Sequence, residues 1–172
     1  MLSENMTTEM SNQVVAEFYS SYLYLSMAAY FDSVGLQGFA NWMKIQAKEE
    51  LSHGEKIFDF VIERDGMVCL GAIDAPPSKW ASPLEAFKAA YEHEQKVTGM
   101  INNLVTMARK ENDYASENFL DWFVDEQVEE ESTAKNIVDQ LKLIGDNPQA
   151  MLMLDRELGQ RTYTPPADAG QE

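Results

Sequence analysis

The chain has 172 residues, a length that favours one domain over 1–172. Its 13 Lys and Arg stand against 29 Asp and Glu, a net charge of −16. That balance excludes the basic face that nucleic acids and anionic membranes require. Hydrophobic residues at 45% can bury a core. The lone cysteine, Cys69, forbids an internal disulfide and fits a reducing, cytoplasmic setting, and no role is assigned to it. The opening MLSENMTTEM has no basic or apolar region of the kind a secretory signal carries. With only 9 Gly and 6 Pro, long stretches lack both, and the chain reads as all-α.

Between Phe18 and Met43 the only charge is Asp32. Ser20, Ser21, Gln37, Asn41 and two glycines interrupt this run, which argues against a membrane span. Two helices are expected instead, over 7–34 and 36–65, with a turn near Gly35–Gly38. On the first, Phe18, Tyr22, Leu25 and Ala29 repeat at helical spacing. On the second, Trp42, Ile45, Leu51, Phe58 and Ile62 do the same. Ser82-Pro83-Leu84-Glu85 is a capping box that opens a third helix over 83–111. A short turn at Asn112-Asp113 leads to a fourth over 114–144, stopped by Gly145. Asn147-Pro148 caps a fifth over 148–158, with Met151, Leu154 and Leu158 on one face. The tail from 164 to 172 reads as disordered.

The connections are unequal. Helices one and two, and three and four, are joined by a few residues and form antiparallel hairpins. DGMVCLGAIDAPPSKWA joins the hairpins and is too long for a tight turn. At roughly 3.3–3.6 Å per residue it can run the length of a bundle, which makes helices two and three parallel.

The polar residues carry a second pattern. Glu50 and His53 are one helical step of three apart, on one face, and can reach one metal. Glu17 lies among Val14, Val15, Phe18 and Tyr22 on an otherwise apolar helix. From Glu111 through Ala134 there are nine acids and no Lys or Arg, a crowding that a bound cation would relieve. Glu17 and Glu50 are 33 residues apart, as are Glu94 and Gln127. Glu17 and His53 are 36 apart, as are Glu94 and Glu130. A shift of 77 therefore superposes the two hairpins' polar sets, whereas a shift of 80 aligns Phe39 and Trp42 with Phe119 and Trp122. Di-iron carboxylate bundles take one Glu from each of two helices and Glu-x-x-His from each of the others. This chain departs on the fourth helix, with Gln127-x-x-Glu130.

These features resemble the bacterial and archaeal non-haem ferritins. The likeness runs from Glu17 to the fifth helix, on EFYSSYLYLSMAAYFDS, NWMKIQAKEELSHGEKIFDF, YEHEQKVT and NFLDWFVDEQVEEE. It implies a ferritin-like four-helix bundle with one long crossover and a short fifth C-terminal helix. It implies a ferroxidase centre in which Glu17, Glu50 and His53 hold one iron. Glu94, Glu130 and the bridging Glu50 hold the second, with Gln127 close by. Glu49, Glu126, Glu129 and Glu130 match a third, peripheral iron site. Tyr24 matches a tyrosine beside the centre that donates an electron, and Trp122 its aromatic neighbour. By the same resemblance the substrates are Fe(II) and O2 or H2O2, and the assembly is a homo-oligomeric shell of 24 subunits holding ferric mineral. Leu51 stands where the haem-binding relatives carry methionine, so no haem is expected.

Oxygen-only ligands hold Fe²⁺ less firmly than a set with imidazole, so the centre is expected to be asymmetric, with product iron able to leave. His93 is expected on the surface, about 100° round the helix from Glu94. Glu111, Asp113 and Glu117 are candidates for the lining of an iron-admitting pore. Two rival readings remain. A rubrerythrin-type di-iron oxidase predicts a His on the fourth helix and a cysteine-rich iron site, and a plain helical interaction bundle leaves the matched spacings unexplained.

Overall fold

The computed structural model describes residues 1–164, and within them the chain forms five helices and no strand. These are α1 (Glu4–Ser33), α2 (Gln37–Glu63), α3 (Pro83–Glu111), α4 (Tyr114–Ile144) and α5 (Pro148–Leu158). All but Thr164 of the expected tail lies outside the described residues. α1 starts earlier than expected because Ser3 caps it, accepting a hydrogen bond from the Met6 amide at 3.0 Å. At the α3–α4 turn Asn112 adopts a left-handed conformation (φ 56°) and Asp113 caps α4. Among the described residues no helix is both long and apolar enough to cross a membrane.

α1 to α4 make the bundle, and the long connection decides its topology. Cys69 donates its amide to Ser11 Oγ, Ser26 donates to the Pro77 carbonyl, and Trp80 packs on Tyr30. The connection thus runs along α1 from near its start to near its end. α2 and α3 consequently point the same way. Trp42 and Phe39 meet Phe87 near their beginnings, while Ile57 and Val61 share a core with Leu104 and Val105 near their ends.

The core has two apolar layers. One holds Tyr24, Met27, Phe31, Phe39, Trp42, Phe87 and Leu141, and the other Met6, Met10, Val14, Ile57, Ile101, Leu120 and Phe123. Between them is a buried polar layer.

The expected stripe on α1 is corrected here. Tyr22 and Leu25 are 51% and 49% exposed, Ala29 is exposed and Phe18 half-buried. The buried face runs instead through Met6, Met10, Gln13, Val14, Glu17, Tyr24, Met27 and Phe31. α1 is apolar on nearly every side, so periodicity alone offers several stripes and packing selects one. Leu51 and Ile62 on α2 are likewise exposed.

α5 closes one end of the bundle, with Leu154 and Leu158 buried and Met151 packed against the same layer. It also completes α2. Leu36 is the N-cap of α2 and offers no side-chain acceptor, and Asp155 supplies one: its Oδ1 accepts from the Gly38 and Phe39 amides at 2.8 and 3.0 Å. A Cβ at Gly38 would lie 1.6 Å from the Asp155 carbonyl oxygen, so this close approach requires glycine.

Candidate metal centre

The polar layer is built from one turn of each bundle helix. Glu17, Glu50, His53, Glu94, Gln127 and Glu130 are all buried, and they come from α1, α2, α3 and α4. Each takes the inward position of a helix that is apolar on either side of it, so the backbone carries the acid into the core whatever its own preference. Two groups of three have ligand atoms within 4.8 Å of one another: Glu17, Glu50 and His53, and Glu50, Glu94 and Glu130. Glu50 belongs to both. A third group joins His53, Glu126 and Glu130. His53 Nδ1 is 3.6 Å from Glu50 Oε2, while its Nε2 faces Glu126 Oε1 at 3.7 Å.

Burying this many acids without cations is costly, and their protons show it. Burial, aided by the neighbouring Glu50, pushes Glu17 and Glu94 up to about 8. Burial and their mutual repulsion with adjacent carboxylates push Glu50 and Glu130 far above the usual carboxylate range as well. Glu17 Oε2 is buried with no hydrogen-bond partner. An orphaned carboxylate oxygen facing a shared carboxylate and an imidazole fits a divalent metal.

Two glutamines that sequence reasoning passed over support the acids. Gln13 donates to Glu17 Oε1 at 2.8 Å. Gln46 donates to Glu50 Oε1 at 2.9 Å and to Glu130 Oε2 at 2.7 Å. A signal was present: each Gln lies four residues before a candidate ligand, one helical turn away, and the two are themselves 33 apart. Gln127 also acts as a donor, from Nε2 to Glu94 Oε2 at 3.3 Å, so it holds a carboxylate of the second group.

Tyr24 donates its hydroxyl to Glu94 Oε1. Burial, followed by the charge of Glu94, raises the phenol well above its ordinary value and keeps it protonated. Its aromatic neighbours are Trp42 and His93, with centroids 6.5 and 6.3 Å away. Trp122 is not among them; it lies against His53 at 5.3 Å.

The expected surface position of His93 is corrected. His93 is half-buried, with Nε2 2.7 Å from Ser20 Oγ and its ring beside Tyr19. Turning away from Glu94 brings it against α1 rather than into water, and burial, then Lys96, lowers it to about 4. Of the four acids expected at the peripheral site, only Glu126 and Glu130 gather with His53. Glu129 is exposed, and Glu49 is paired with Arg161. Of the pore candidates, Glu111 accepts from Ser3, Asp113 pairs with Arg64 and Glu117 with Arg109.

A long-crossover four-helix bundle with a shared carboxylate between two inward ligand groups defines the ferritin-like class of metal-binding bundles. The profile of the Ferritin-like domain matches residues 8–144, and the chain belongs to the ferritin family. It is 44% identical over 161 residues to the bacterial non-heme ferritin of Bacteroides fragilis (strain 638R), covering 94% of this chain and all of that one. It is 41% identical over 163 residues to that of Staphylococcus aureus (strain USA300), covering 95% and 98%. The crystal structure of an open pore ferritin from the hyperthermophilic archaeon Archaeoglobus fulgidus matches with a TM-score of 0.94. It is 56% identical, over 94% of this chain and all of that one.

Proposed function

We propose that this chain is an iron-storage ferritin acting as a ferroxidase in the cytoplasm. Two Fe(II) ions enter as substrate at the paired ligand groups. Each loses one electron, and the two electrons with two protons convert O2 to H2O2, or H2O2 to water. The single observation that carries this reading is that Glu50 belongs to both ligand groups, which holds two metals close enough to act on one oxidant.

The residues have separable tasks. Glu17 and His53 hold the first iron with Glu50, and Glu94 and Glu130 hold the second. The raised carboxyls bind metal by releasing protons, so loading is opposed by acid. Tyr24, bonded to Glu94 and edge-on to Trp42, is placed to supply an electron. The ferric product then leaves for a mineral held in a homo-oligomeric shell, for which 24 subunits is the family-based expectation. Tyr22, Leu25, Leu51 and Ile62, left exposed on one chain, support burial against further copies. No haem takes part.

The test is iron retained per chain after aerobic Fe(II) addition and desalting. Tens of ions per chain in a particle far larger than one bundle are expected. Two per chain would mean a resident di-iron cofactor, and none would overturn the metal reading. Glu50→Ala should slow oxidation by at least about hundredfold, since both ligand groups lose a member.

A further inference from the structure

Arg161 follows α5 and reaches back over α2. Its guanidinium donates to Glu49 through Nη2 and to Gln46 Oε1 through Nη1 at 2.8 Å, and it lies 4.5 Å over the Trp42 ring. Asn41 anchors its backbone, donating to the Arg161 carbonyl at 3.0 Å. Guanidinium can only donate, so Gln46 must turn its oxygen toward Arg161. Its Nε2 is thereby aimed inward, at Glu50 and Glu130 together.

We propose that Arg161 is a positioning residue that latches the centre from outside: its guanidinium holds Glu49 in place of a metal ion and, through Gln46, sets the orientation of Glu50 and Glu130. The inference rests on the metal-centre reading above. Glu49 lies beside Glu126 and Glu129, close enough for each to feel the other's charge. A cation reaching that cluster must compete with Arg161, and once Arg161 leaves, Gln46 is free to rotate. Occupancy of the periphery is thereby coupled to the geometry of the inner pair, with the Arg161 side chain as the moving part.

The test is calorimetric titration of the full-length, metal-free protein with Zn²⁺, which is redox-inert, comparing the parent with Arg161→Gln and Arg161→Lys. The parent should bind two Zn²⁺ tightly and a third weakly. In Arg161→Gln the third should tighten by about tenfold, the scale of a lost charge-assisted hydrogen bond. The second should weaken by about tenfold, the scale of losing a partner that orients a metal ligand. Arg161→Lys keeps a charge on Glu49 but not the planar fork, so the third should stay weak while the second still loosens. Unchanged titrations, or a uniform weakening of every event, would overturn the latch and leave the inner pair standing. A parent that binds no Zn²⁺ would overturn the metal centre and the latch together.

Discussion

The α1–α2 hairpin brings Glu17, Glu50 and His53 to the centre, and the α3–α4 hairpin brings Glu94, Gln127 and Glu130 at the same intervals. The two sets differ in how their oxygens are satisfied without metal. Glu17 Oε2 has no partner, and an imidazole nitrogen faces Glu50. Glu94 accepts from Tyr24 and Gln127, and Glu130 from Gln46. A metal entering the first set relieves an orphaned buried oxygen, whereas one entering the second must displace donors already in place. The halves should therefore fill in order, the first before the second, and the second should give up its ion more readily.

The sharpest way to break this comparison is His53→Ala. It should weaken the first Zn²⁺ by more than about hundredfold while the second falls by about tenfold at most, read by titration of the metal-free protein. Equal losses would mean the two sets act as one. Next in size is the converse change, Gln127→Glu with Glu130→His, which gives the second hairpin the first one's Glu-x-x-His. The second ion should then bind about tenfold or more tightly, and more iron should remain at the centre after oxidation. Smaller still are the supporting amides. Gln13→Leu should weaken the first ion by about tenfold and leave the second alone, while Gln46→Leu should affect both, because Gln46 touches Glu50 and Glu130.

The smallest expected effect is on stability against pH. Glu17 and Glu94 stand at about 8 in the fold against 4.5 ordinarily. A carboxyl raised by folding favours the fold fully below its unfolded value, and that contribution is lost as pH climbs toward the folded one. Metal-free protein should accordingly melt a few degrees lower at pH 8 than at pH 5. Zn²⁺ holds the same carboxylates ionised, so with saturating metal the trend should flatten or reverse. Parallel melting curves with and without metal would remove these acids from the metal site.

Most of the candidate ligand set was legible because a helix converts residue spacing directly into facing. Glu50 with His53, and the repeated 33 and 36 intervals, place those groups at one level before any contact is known. Gln13 and Gln46 were legible too, by their position one turn before a ligand, but an amide four residues from an acid is common and weighs little alone. Arg161 carried no local signal. Its partners Gln46 and Glu49 lie more than 110 residues away, and only the docking of α5 brings it to them.

By itself the sequence determined the five helices, with limits good to about three residues, the parallel run of α2 and α3 and the identity of the inward acids. Caps, a connection of known length and helical periodicity are local rules. Tertiary structure alone decided which stripe of α1 is buried, that Asp155 caps α2, that His93 turns inward and that Arg161 closes over Glu49. Each of those outcomes depends on which surfaces of distant helices meet. A helix apolar on most sides, or a charge beyond the last turn, does not specify its partner in advance.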